Sequence, residues 1–130
     1  MVTYSLDAWA VIEWLQGSEP AARRVEAALA DRSTLMSWIN LGEVVYKLRP
    51  RLGPRRTDDV VARLRRSLRL DVPSPRRVLE AATIKSEHRL SYADAFAVAT
   101  ALAHEAVLLT GDPEILDADA EWQVEDLRAT

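Results

Sequence analysis

Cysteine is absent from the 130-residue chain, and histidine occurs only twice, at His88 and His104. The first absence excludes disulfide staples and thiolate metal sites; the second argues against a histidine-based zinc site. Glycine is scarce, at positions 17, 42, 53 and 111 only, so there is no glycine-rich loop to cradle a phosphate. The eight aromatics leave a gap between Tyr46 and Tyr92, which limits base stacking in the middle of the chain. No apolar run approaches the length of about 20 residues that spans a bilayer, and the opening MVTYSLDAWAV has no basic stretch ahead of its apolar part. The chain therefore reads as soluble and cytoplasmic.

What is present is charge, unevenly placed. The formal net charge is −3, yet residues 47 to 77 hold eleven Lys or Arg against three Asp or Glu. The remainder is strongly acidic, and the basic segment is nearly all arginine, suited to bidentate contacts with phosphate. A chain of this length makes one domain, burying roughly two-thirds of its unfolded surface.

The hydrophobic pattern alternates strands with helices. Val2 to Leu6 is β-prone and stops at Asp7, and AWAVIEWL then places Ala8, Val11, Ile12 and Leu15 at helical spacing. A second helix spans Glu19 to Ala30, a short strand covers Thr34 to Met36, and Ser37 caps a helix that Pro50 is expected to end. A loop, an amphipathic arginine helix, a brief strand at Leu70 to Val72 and a helix from Pro75 to His88 follow. Ser91 to His104 is the last long helix, Val107 to Thr110 a buried strand, Asp112-Pro113 the start of a short turn, and Trp122 to Val124 an edge strand. Short apolar strands separated by helices predict a single α/β domain over residues 1–130, a parallel sheet sandwiched between helices.

Three aspartates stand out by position. Asp7 follows the first strand, Asp112 follows the Val107 to Thr110 strand, and Asp94 opens the helix leading into that strand. Each has a local explanation: Asp7 and Asp112 as helix caps, and Asp94 as the acid of a Ser91-Tyr92-Ala93-Asp94 capping box. Ligands of open parallel sheets, however, bind beside the carboxyl ends of the strands, where Asp7 and Asp112 should meet and the helix opening at Asp94 could bring it near, at a distance the sequence does not fix. Glu43 sits between Asn40 and Lys47 on its helix, either in an exposed ion pair or facing the same interior, and Glu114 could lean in behind Asp112. Glu13 and the other helix acids read as solvated. Carboxylates so clustered cannot all stay ionised without a countercharge. Oxygen ligands alone favour Mg²⁺ or Mn²⁺, and such an ion suits phosphodiester hydrolysis.

The segments LDAWAVIEWL, NLGEVVYKL, LSYADAFAVATALA and LLTGDPEIL, in this order, resemble the PIN domain of VapC-type toxin ribonucleases. The resemblance covers nearly the whole chain and implies a parallel sheet between helices and a Mg²⁺- or Mn²⁺-dependent endoribonuclease. It further implies neutralisation by a cognate VapB-type antitoxin, and homodimers. Carried over residue by residue, Asp7, Glu43, Asp94 and Asp112 become the metal-holding catalytic acids, with Thr110 and Asn40 supporting them. The family often has Ser or Thr soon after the first aspartate; here Ala8 and Trp9 stand instead.

The arginines at 49, 51, 55, 56, 63, 65, 66 and 69 could lead RNA toward the acids, with Arg55, Arg56, Arg63, Arg65 and Arg66 the foremost candidates. A solvated surface or an antitoxin-binding face would read alike. Trp9, Trp14 and Trp38 are candidates for protein contacts, with a core role the commoner expectation. The rival functions are a catalytically silent nucleic-acid-binding module of the same fold and a phosphatase; the intact acid set argues against the first and the lack of a glycine loop against the second.

Overall fold

The computed structural model describes residues 1–128. Its elements run β1 (Tyr4–Leu6), α1 (Ala8–Gln16), α2 (Ala21–Ala30), β2 (Leu35–Ser37), α3 (Trp38–Ser67), β3 (Arg69–Asp71), α4 (Pro75–Glu87), α5 (Tyr92–Ala103), β4 (Val107–Thr110), α6 (Pro113–Leu116) and β5 (Val124–Asp126). All five strands are parallel, in the order β3-β2-β1-β4-β5. Leu6 lies opposite both Met36 and Leu109, which brings the carboxyl ends of the three central strands level.

Alternation along the strands builds two cores. Leu6, Met36 and Leu109 face α1, α2 and α3, while Leu35 and Leu108 face α4 and α5. All five side chains are nearly inaccessible to water, and burying each contributes roughly 2 kcal/mol. The predicted sandwich is thus the observed one. Alanines at 95, 97, 99 and 101 let α5 lie close on the sheet, where it touches β1, β2 and β4. A salt bridge fastens the edge: Asp71 at the end of β3 accepts from Arg77 Nη1 at 2.6 Å and meets His104 Nε2 at 3.0 Å, joining β3 to α4 and α5.

Several boundaries shift by one or two residues from the sequence expectation: β1 begins at Tyr4, α2 at Ala21, β2 covers Leu35–Ser37 and β3 covers Arg69–Asp71. Pro50 does not end its helix; α3 runs on, and the chain breaks instead at Gly53, with φ 81° and ψ 168°, before Pro54 restarts it. Pro50 is tolerated because Tyr46, whose carbonyl its ring leaves unpaired, is on the exposed side of the helix. The expected loop shrinks to one residue, and Thr57 Oγ1 donates to the Gly53 carbonyl at 2.8 Å, reinforcing the restart. The last strand is Val124–Asp126 rather than Trp122 to Val124, in register with Leu108 to Thr110.

Candidate active site

Reversal of strand order at β1 and β4 leaves a crevice at their carboxyl ends, and the sequence puts an acid on each side of it. Asp7 caps α1: its Oδ1 accepts the Ala10 N–H at 2.8 Å. Its Oδ2 accepts the hydroxyl of Thr110, the last residue of β4. Thr110 Oγ1 in turn accepts the Asp112 N–H at 3.0 Å, so one hydroxyl fixes the first-strand acid against the backbone of the last-strand acid. Asp112 caps α6 by accepting the Glu114 N–H at 2.9 Å.

Asp94 enters from the first turn of α5. Its N–H donates to Ser91 Oγ at 3.1 Å, which is half of the capping box. Among the described residues the other half is not made: no bond runs from the Asp94 carboxyl back to the Ser91 N–H, and buried Asp94 lies with its carboxyl near those of Asp112 and Glu114. Asp94, Asp112 and Glu114 each offer an oxygen within 4.8 Å of the others. Asp7 and Glu43 lie outside that triplet, although the charges of Asp112 and Glu43 both act on Asp7.

Glu43 faces the cleft while still pairing with Lys47, so its ion pair is not the exposed one of the alternative reading. It pairs with Lys47 at 2.9 Å, and its side chain, only 12% exposed, lines the same cleft as Asp94 and Asp112. Asn40, one turn earlier, donates from Nδ2 to the Ala93 carbonyl at 2.9 Å and so ties α3 to the turn that carries Asp94. Its Oδ1 is buried without a partner among the described residues.

The electrostatics follow from burial. The Asp7 carboxyl is pushed up to about 7, chiefly by desolvation; the Thr110 and Ala10 hydrogen bonds oppose the rise, and the charges of Asp112 and Glu43 add to it. Asp94 is likewise held well above the usual carboxylate range, by burial first, then by the charge and hydrogen bond of Asp112, with Ser91 opposing and Asp7 adding a little. Among the described residues neither acid has an ion-pair partner. Hard, crowded oxygen donors without a countercharge fit a divalent cation such as Mg²⁺ or Mn²⁺, whose charge would let both acids ionise at neutral pH.

The cleft above the acids has a volume of about 380 Å³. Trp9, Ile12 and Glu13 of α1 and Lys47, Leu48 and Arg51 of α3 complete its walls. Glu13 was expected to be solvated with the other helix acids; one turn beyond Trp9 on the same face, it lies at the rim instead. The helical spacing of 9, 12 and 13 after a capping Asp7 was the available signal. Of the basic segment, Lys47 and Arg51 reach the cleft. Arg55, Arg56, Arg63, Arg65 and Arg66 are exposed on the second half of α3, with Arg63 over the Trp14 ring at 4.6 Å and Arg65 over Trp38 at 5.4 Å. Trp9, Trp14 and Trp38 are half-buried against the core.

A five-stranded parallel sheet between helices, gathering carboxylates at its switch point, places the molecule among α/β proteins with an acidic crevice at the strand ends. More narrowly, the chain belongs to the PIN domain family, whose match runs over residues 4–121. In fold it is similar to a toxin-antitoxin complex chain from Klebsiella pneumoniae, at TM-score 0.77 and 19% identity over 98% of this chain and 99% of that one. A chain of DNA-bound VapBC from Salmonella typhimurium gives TM-score 0.77 and 18% identity, covering 98% of this chain and 100% of that one. VapC20 of Mycobacterium tuberculosis, a toxin that cleaves the sarcin-ricin loop, gives 0.72 and 16%, covering 88% of this chain and 93% of that one. No curated protein matches the chain in sequence. Among the described residues no helix is long and apolar enough to cross a membrane.

Proposed function

We propose that the chain is a VapC-type endoribonuclease toxin that hydrolyses RNA phosphodiester bonds with Mg²⁺ or Mn²⁺ and is neutralised by a VapB-type antitoxin. The observation that carries this reading is the gathering of Asp94, Asp112 and Glu43 in one cleft, with Asp7 buried behind them and joined to the Asp112 turn through Thr110. Similarity in fold to toxins of antitoxin complexes supports the partner, and similarity to a toxin that cleaves an RNA loop supports the substrate.

Asp94, Asp112 and Asp7 would hold the ion, with Glu43 and Glu114 at its margins. When bound, the ion supplies an activated water and neutralises charge developing on the phosphoryl oxygens. The chain does the rest. Thr110 keeps Asp7 and the Asp112 backbone in fixed relation, and Asn40 keeps Glu43 beside Asp94, so the acids are aligned before RNA arrives. Glu43, held by Lys47, is placed to orient water over the cleft. Exposed Ile39, Tyr46 and Tyr92 offer apolar surface for the antitoxin or for a second copy of the chain in a homodimer.

Purified protein incubated with total RNA and Mg²⁺ or Mn²⁺ should yield discrete fragments, lost with chelator and lost in Asp94→Asn while that variant melts no lower than the unaltered protein. RNA that is bound but never cleaved would make the protein a silent binding module. An Asp94→Asn protein that melts early yet retains full activity per folded molecule would return Asp94 to a capping role.

A further inference from the structure

The acids account for one side of the cleft and leave its other side unexplained. Trp9 stands two residues beyond Asp7, where it packs on the turn that carries Asp112. A Cβ at Gly111 would fall 2.2 Å from Trp9 Cη2, so the six-membered ring of the indole rests directly on the glycine backbone. The ring is thereby fixed relative to both acids, and its remaining surface lines the cleft together with Ile12 and Leu48. A rigid, half-exposed aromatic next to a phosphodiester-cleaving centre is a ready stacking surface, because its conformational entropy is already lost.

Charge along α3 changes sign as it leaves the acids. Glu43, Lys47 and Arg51 follow at one-turn intervals, so Arg51 stands about 12 Å along the axis from Glu43. Lys47 and Arg51 both line the cleft, and among the described residues Arg51 forms no ion pair. A crevice of carboxylates repels RNA phosphates; Lys47 is paired with Glu43, and Arg63 and Arg65 lie over Trp14 and Trp38 away from the cleft, so Arg51 is the cation in its wall that can meet a phosphate.

We propose that this wall is a subsite for one unpaired nucleotide, its base stacked on Trp9 and its phosphate held by Arg51. The proposal rests on the ribonuclease reading of the acids and narrows its substrate class. A base in a duplex cannot turn onto an indole, so the cleft takes single-stranded segments or loops, in which bases are free to splay. Its volume of about 380 Å³ suits one nucleotide and not a helix.

The test uses a short fluorescein-labelled single-stranded RNA of mixed sequence and its duplex, titrated by anisotropy with chelator present to prevent cleavage. Trp9→Phe should bind the single strand nearly as the unaltered protein does. Trp9→Leu, which keeps apolar packing on Gly111 without an aromatic face, should bind about tenfold or more weakly. Duplex binding should be the same for all three, and Arg51→Ala should flatten the salt dependence of single-strand binding by about 0.7 in log–log slope. Equal single-strand binding by Trp9→Leu and Trp9→Phe, or equal losses on the duplex, would overturn the subsite. Metal-dependent cleavage by the unaltered protein is followed in parallel. Cleavage with Trp9-independent binding sinks the subsite alone, whereas Trp9-dependent binding without cleavage sinks the nuclease reading and leaves the subsite standing.

Discussion

At the scale of single residues, the site is organised by one hydroxyl. Thr110 donates to Asp7 and accepts from the Asp112 N–H, so it both holds two acids together and favours the charged form of the deeper one. Thr110→Val keeps the shape and removes both bonds. It should destabilise the protein by about 1–3 kcal/mol, the usual cost of a buried polar group left unpaired. The loss should be larger near about pH 8 than near about pH 5, because the missing bond penalises only the ionised Asp7. Urea melts at the two pH values check this; an equal loss at both would mean that the hydroxyl acts through packing alone. Asp94 teaches a related lesson. Its capping box was written in the sequence, and half of it forms, yet the carboxylate that should complete it lies among the carboxylates of Asp112 and Glu114. A local pattern explains why the helix begins at Ser91, and a long-range neighbour decides where the acid points.

At the scale of elements, α3 is where sequence and structure part. Strand β4 and helix α5 were legible because their signals are local: four apolar residues ended by glycine, and a serine cap ahead of a run of small apolar residues. Pro50 signalled a stop that Gly53 supplies, since a proline on an exposed helix face gives up a hydrogen bond that water can replace, and only the φ of 81° forces the chain to turn. Gly53→Ala should therefore cost about 1–3 kcal/mol, a penalty reserved for non-glycine residues in that region. Pro50→Ala should be neutral or stabilising. Thermal melts of the two variants rank them, and a neutral Gly53→Ala would show that the break is set by Pro54 rather than by glycine. The positions of Asp7 and Asp112 at strand ends were legible too, because a parallel sheet levels those ends. The walls of the cleft were less so: helical spacing puts Trp9 and Glu13 on one face of α1, but that this face closes the cleft depends on the packing of α1 against α3 and the β4 turn. The arginine helix likewise showed its charge but not its contacts, and Arg63 over Trp14 spends part of that charge on binding α3 to α1.

At the scale of the whole molecule, the fold carries a built-in conflict. Burial raises Asp7 to about 7 from the model-peptide value of 3.8, so between about pH 4 and about pH 7 the native chain holds a proton that the unfolded chain releases. Stability must then fall as pH rises through that window, by up to roughly 4 kcal/mol from Asp7 alone, and the penalty is fully present above it. Asp94, raised for the same reasons, acts in the same direction. A divalent cation that binds the ionised acids reverses the balance, because it stabilises the native state by mass action and displaces their protons. The melting temperature in chelator should therefore decline from about pH 5 to about pH 8, whereas with millimolar Mn²⁺ it should hold or rise. Calorimetric titration near pH 7 should show protons released on metal binding. Asp7→Asn should flatten the chelator curve and shrink the metal-induced rise together, since the same buried charge causes both. A chelator curve that rises with pH would mean that Asp7 is not held protonated by burial, and a metal effect untouched in Asp7→Asn would mean that the ion sits at the Asp94, Asp112 and Glu114 triplet without the deeper acid.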